Sequence, residues 1–170
     1  MEILLSESEI ADRVADVADR IAGEIEPDWI AVALLDGGLT FAADLIRALS
    51  HRGVDVRYDA LRVTTYGDST TAADEPRLLS NVTRPVKGAT CLLIDEVFDS
   101  GRTLEFAYDT LIEAGAESVK AVVFAEKNTA ISPRFKPEWS AWTAPDRFLV
   151  GYGMDLAGRY RGLPHIGAID

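Results

Sequence analysis

Cysteine is nearly absent from this chain. Cys91 is the only one among 170 residues, which excludes an intramolecular disulfide and a cysteine-built zinc site. It sits in an apolar run, as a packed thiol would. No apolar run approaches the ~20 residues needed to span a bilayer. The opening stretch, Met1-Glu2-Ile3-Leu4-Leu5-Ser6-Glu7, has no basic segment and turns acidic at once. No secretory leader is expected, and a cytoplasmic location fits. Positive charge is scarce: 17 Lys and Arg stand against 28 Asp and Glu, for a net charge of -11. Wrapping nucleic acid or adhering to an anionic membrane needs basic surface, so both are excluded as partners. A phosphorylated small molecule is not, because a few local donors and a divalent cation suffice to bind it. The acidity itself reads as solubility or a saline habitat. Internal repeats and low-complexity tracts are also missing.

What is present is an ordinary apolar complement, 48% of residues, with 26% charged. That composition and length predict one globular domain over 1–170. Ser6 and Glu9 have capping-box spacing. Ile10, Val14, Val17, Ile21 and Ile25 follow at helical intervals, and Glu26-Pro27-Asp28 ends the helix. Trp29 to Leu35 reads as a buried parallel strand. Asp36-Gly37-Gly38 is a turn, and Phe41, Ala42, Leu45, Ile46 and Leu49 mark a second helix ending near Gly53. Val54 to Val63 is a strand. Residues 64–81 are polar, a length of loop that is usually functional, with a short strand at Leu78 to Val82. Thr90 to Ile94 is a second buried strand. Leu104, Ala107, Leu111 and Ile112 form a third helix with Gly115 at its C-cap. Val119 to Ala125 is a third buried strand, and the remainder is irregular and aromatic. The alternation predicts an α/β fold: a mainly parallel sheet flanked by helices, with ligands at the carboxyl ends of the strands.

The most informative segment is Cys91 to Leu104. An apolar run ends in Asp95 and Glu96, Asp99 follows, and then comes the turn Ser100-Gly101-Arg102-Thr103. Such a strand-to-helix junction presents carboxylates to a sugar or metal and a backbone cradle to a phosphate. On residue type alone each part has a plainer reading. Asp99 suits a helix N-cap, Gly37-Gly38 an ordinary turn, Phe148 core packing, Lys127 the surface and Asp155 a loop.

At these residues the chain resembles a type I phosphoribosyltransferase of the hypoxanthine-guanine branch. Ala33 to Leu45 resembles that family's pyrophosphate loop and following helix. Thr65-Tyr66-Gly67-Asp68-Ser69-Thr70 resembles the start of its mobile loop. Lys136-Pro137-Glu138-Trp139 and Pro145 to Asp155 resemble its purine-binding hood, and Arg159 to Gly167 its C-terminal signature. The match runs in order over roughly residues 30 to 169.

The resemblance implies a core of about residues 28–127 and a small C-terminal hood formed mainly by 128–170. It implies transfer of a phosphoribosyl group from phosphoribosyl pyrophosphate to hypoxanthine or guanine, with Mg2+ as cofactor and a homodimer or homotetramer as the assembly. Asp95 and Glu96 would hold the ribose hydroxyls, directly or through Mg2+; the family's usual order is Glu then Asp. Asp99 would accept the proton at purine N7. Ser100, Gly101, Arg102 and Thr103 would cradle the 5′-phosphate. Asp36 and Gly37 would form the pyrophosphate loop, where the family often has lysine in place of Asp36. Arg161 would bind pyrophosphate, with Arg159 as a competitor. Lys127 would donate to the 6-oxo group, with Arg147 also reaching that region. Phe148 would stack on the base, Leu149 would offer backbone groups to it, and Asp155, also on the purine side, would ligate the pyrophosphate-bound Mg2+. Thr65 and Tyr66 would close over the reacting centre. Two other readings stay open: a transferase for another base such as xanthine, and a regulator that binds phosphoribosyl pyrophosphate and keeps the fold.

Overall fold

The computed structural model describes residues 1–64, 75–128 and 133–169. The chain opens with β1 (Glu2–Leu5) and α1 (Glu7–Ala22). Ser6 caps α1 through the predicted box: the Glu9 N–H donates to Ser6 Oγ at 3.4 Å and the Ser6 N–H to Glu9 Oε2 at 2.8 Å. The helix stops at Ala22, a turn earlier than its apolar spacing predicts. Ile25 follows in a turn and still packs on the core. Then come β2 (Ile30–Leu35), α2 (Leu39–Ser50), β3 (Arg57–Thr64), β4 (Arg77–Ser80), β5 (Thr90–Phe98), α3 (Arg102–Glu113) and β6 (Ser118–Lys127). The last elements are β7 (Trp139–Ala144), β8 (Phe148–Val150) and β9 (Ile166–Ile169).

Six strands form the main sheet in the order β4-β3-β2-β5-β6-β7, all parallel except the edge strand β4. Strand alternation gives the sheet two apolar faces. Leu92, Ile94 and Phe124 pack with α1 and α2, while Cys91, Leu93 and Val123 pack with Leu104 and Leu111 of α3. Each fully buried Leu, Ile or Phe contributes about 1.5–3 kcal/mol, so this two-sided core is the main source of stability. The end of α3 follows the Gly115 expectation with one shift. Ala114 is the cap, and Gly115 takes the left-handed conformation just beyond it, φ 97°. Ala116 N–H then reaches Leu111 O at 3.0 Å and closes the helix.

Three sequence expectations need correction. The region after residue 125 is not irregular: β7 extends the main sheet beside β6, and β8 and β9 build a second sheet in the order β1-β9-β8. The second sheet therefore takes its third strand from the N-terminus, while β7 joins the main sheet. Four residues at Glu2–Leu5 are too few to show a period. The mixed small and aromatic residues of Trp139–Ala144 show neither alternation nor a continuous apolar run. The short strand in the polar stretch is Arg77–Ser80, shifted toward the N-terminus from Leu78 to Val82. Finally, β5 runs through the acids to Phe98, because Asp95 still pairs with Val123 and Val97 with Ala125. No helix among the described residues is long and apolar enough to cross a membrane.

Candidate active site

The carboxyl ends of β2, β3 and β5 surround a cavity of about 410 Å³. Its walls are Leu35, Asp36 and Gly37 after β2, Arg62 to Thr64 of β3, Asp95 to Gly101 and Thr103 at the β5–α3 junction, and Asp155 and Arg161 from the C-terminal segment. Ten positions singled out from sequence thus converge on one space.

Asp95 is the one buried charged residue among those described, at 7% exposure. Burial first, and then the charge and side-chain hydrogen bond of Glu96, push its carboxyl well above the ordinary carboxylate range, partly opposed by the Glu96 N–H at 2.9 Å. Alternation along β5 puts Glu96 on the same face as Leu92 and Ile94, toward the β2–α2 loop. Gly37 gives it room: a Cβ there would stand 1.9 Å from Glu96 Oε1. The reversed acid order therefore places the longer side chain against this loop.

The loop itself is no ordinary turn. A Cβ on Gly38 would meet Leu34 O at 2.6 Å and Ile94 O at 2.8 Å, and one on Gly153 would meet Gly37 O at 2.2 Å. The loop is wedged between two strands and the segment around Gly153, and the Leu35–Asp36 peptide is cis. Asp36 turns its carboxylate to Arg62, with Nη2 at 3.0 Å from Oδ2.

At the β5–α3 junction the helix cap is Gly101, φ 80°, with no side-chain cap bond. Asp99 is thus not the N-cap. Its Oδ2 instead accepts from Lys127 Nζ at 2.8 Å, and the lysine side chain is only 11% exposed. Ser100 Oγ accepts the Arg102 N–H at 3.5 Å. Arg102 starts the helix with its side chain exposed and outside the cavity lining, while Thr103 faces in.

Arg161 lines the cavity, whereas Arg159 is exposed and does not. The Arg161 guanidinium bonds Gly153 O at 2.5 Å and Asp155 Oδ1 at 2.8 Å, and Asp155 Oδ2 accepts the Gly158 N–H at 2.6 Å. Of the residues expected at the purine, Asp155 lines the cavity, whereas Lys127, Arg147, Phe148 and Leu149 do not. Phe148 is 49% exposed, so core packing does not explain it, while Leu149 beside it is buried at 6%. Arg147 Nη1 pairs with Glu2 Oε2 at 2.5 Å on β1. Thr65 and Tyr66 lie outside the described residues. Sequence reasoning missed Arg62; the signal was a cation on the strand next to an unexpected acid, legible only once β2 and β3 are known to pair.

Among the described residues no group of three metal-binding side chains is preassembled. Asp36, Asp95, Glu96, Asp99 and Asp155 nevertheless open onto one cavity. Hard oxygen donors so arranged suit Mg2+, which commonly takes one or two carboxylates and completes its shell with substrate phosphates and water.

Residues 1–156 match the phosphoribosyl transferase domain family. The chain is 32% identical over 169 residues to the hypoxanthine-guanine phosphoribosyltransferase of Bacillus subtilis, covering 99% of this chain and 92% of that one. It is 30% identical over 169 residues to the bifunctional protein TilS/HprT of Listeria innocua, of which it spans 26% while 99% of this chain is matched. The hypoxanthine phosphoribosyltransferase of Trypanosoma cruzi, solved in complex with the product IMP, superposes with a TM-score of 0.88 at 29% identity, covering 100% of this chain and 94% of that one.

Proposed function

The chain belongs to the phosphoribosyl transferase family, and on that premise we propose that it transfers the 5-phosphoribosyl group of phosphoribosyl pyrophosphate to hypoxanthine or guanine and releases pyrophosphate. It is a pentosyltransferase of purine salvage. The observation that carries the choice of base is the Lys127–Asp99 pair, with 2.8 Å between Nζ and Oδ2. A 6-oxopurine protonated at N7 presents an acceptor and a donor side by side on one edge. Lysine beside a carboxylate is the complementary pair: Lys127 donates to the 6-oxo group and Asp99 accepts from N7. Adenine offers an amino donor in place of the oxygen and mismatches the lysine. A half-exposed Phe148 is available to stack on the base, and the buried Leu149 presents backbone groups.

The donor occupies the cavity. Its ribose hydroxyls meet Asp95 and Glu96, and its 5′-phosphate meets Ser100 to Thr103, where a helix N-terminus favours an anion. Its pyrophosphate meets Gly37 and Arg161. As the bond from C1 to pyrophosphate breaks and N9 closes on C1, positive charge develops on the ribose and N7 loses its proton to Asp99. Fixed carboxylates and a positioned base lower that barrier through orientation and electrostatics. Thr65 and Tyr66 would close over the centre and keep water from the donor. Mg2+ would be held by Asp155, Asp95 and Glu96 together with donor oxygens, and would supply neutralisation of the pyrophosphate charge. The protein works in the cytoplasm as a homodimer or homotetramer; the exposed apolar Leu39 and Tyr58, at 58% and 62%, are surface that such contacts would cover.

Incubation with phosphoribosyl pyrophosphate, Mg2+ and hypoxanthine, followed by mass analysis, tests this reading. The N9-linked 5′-mononucleotide is expected. Ribose 5-phosphate with unchanged base would mean donor hydrolysis and would contradict it.

A further inference from the structure

We infer that Arg62 is the cation that binds pyrophosphate at the β2–α2 loop, and that Asp36 is a positioning residue that aims it. The inference rests on the donor reading given above and adds a residue to it.

The cavity lining includes five carboxylates, Asp36, Asp95, Glu96, Asp99 and Asp155, and two cationic side chains, Arg62 and Arg161. Arg161 is already committed to Asp155 and to Gly153 O. Arg62 is differently placed. Leu35 pairs with Arg62 in the parallel ladder, so Asp36 emerges from the sheet directly beside it. The single contact between them, Nη2 to Oδ2 at 3.0 Å, leaves most of the guanidinium donors to other acceptors, and both side chains are 50% exposed. Among the described residues Asp36 is the one partner of the Arg62 fork, which lines the same cavity as Gly37. A carboxylate alone at position 36 would repel pyrophosphate. Bonded to Arg62, it instead neutralises itself and fixes a planar bidentate donor, the geometry that suits phosphate oxygens.

The test is direct binding of pyrophosphate with Mg2+ by calorimetry, beside steady-state kinetics, for the wild type, Arg62→Ala, Arg62→Lys, Asp36→Asn and Asp36→Ala. Arg62→Ala should weaken pyrophosphate binding and raise the KM for the donor by about 10- to 100-fold, the range for a hydrogen bond to a charged group. The KM for hypoxanthine and the thermal midpoint should stay near wild type. Arg62→Lys should recover part of the loss. Asp36→Ala should weaken pyrophosphate binding in the same direction but less, and Asp36→Asn least, because an amide oxygen still accepts from Arg62. Unchanged pyrophosphate binding in Arg62→Ala would overturn the inference. So would tighter binding in Asp36→Asn, which would make Asp36 merely repulsive, or a raised Mg2+ requirement there, which would make it a metal ligand. The calorimetric arm needs no purine: a wild type that binds pyrophosphate but turns over no base sinks the transferase reading and leaves Arg62 to be judged on its own loss. A wild type that binds no pyrophosphate overturns the inference.

Discussion

Lys127 Nζ lies 2.8 Å from Asp99 Oδ2. The β5–β6 ladder causes this: Phe98 pairs with Glu126, so Asp99 leaves the end of β5 beside Lys127, the last residue of β6. The residue proposed to read the base and the residue proposed to take its proton are thus neighbours before any substrate arrives. Burial of the lysine stem keeps the pair in place, and the base inserts against a preset donor and acceptor.

Asp99→Asn keeps the shape and still accepts from Lys127, but removes the proton acceptor. We expect turnover to fall by about 100-fold or more, in the range of general-base effects, with donor binding little changed. Single-turnover kinetics with a donor titration measures both. Equal loss of turnover and donor affinity would remove Asp99 from the proton-transfer role.

Lys127→Ala should lower kcat/KM for hypoxanthine and guanine by about 10- to 100-fold, the loss expected for a charged hydrogen bond. The donor KM should hold. Kinetics on the two bases decides it, and unchanged values would exclude Lys127 from the purine site.

The loop that follows β4 is tied to β3 by Asp59. Its carboxylate accepts from the backbone N–H of Thr83 and of Arg84, both at 2.7 Å, and from that of Ala60 at 2.8 Å. Burial raises its pKa, but the bonds from Arg84, Ala60 and Thr83 outweigh burial and hold it below the usual carboxylate range. A depressed folded value stabilises the protein above the unfolded pKa and is lost as pH falls through the folded one. Asp59→Ala should therefore cost about 1–3 kcal/mol near neutral pH. The variant and wild type should converge as the medium is acidified below the carboxylate range. Denaturant unfolding across pH checks this; a gap that widens toward acid would refute it.

Much of this was legible from residues alone, and the exceptions have a common cause. The Ser6–Glu9 box and the buried strands announce themselves because local spacing determines them. Asp95 to Thr103 announces itself because one strand end and one helix start carry the whole motif. Arg62 does not, since its meaning depends on which strand pairs with β2 and in what register. Neither does Glu2–Leu5, which becomes a strand only by pairing with β9 at the other end of the chain. The ion pair of Arg147 with Glu2 is hidden for the same reason, since Glu2 belongs to that strand. Long-range pairing is what the one-dimensional pattern withholds.

The central claim is that this site joins a phosphoribosyl group to a 6-oxopurine. Pyrophosphate release, followed with phosphoribosyl pyrophosphate, Mg2+ and a panel of hypoxanthine, guanine, xanthine, adenine, uracil and orotate, tests it most directly. Release with hypoxanthine or guanine, and little with adenine or the pyrimidines, is the predicted result. Preferential use of adenine or a pyrimidine, or no release with any base, would contradict it.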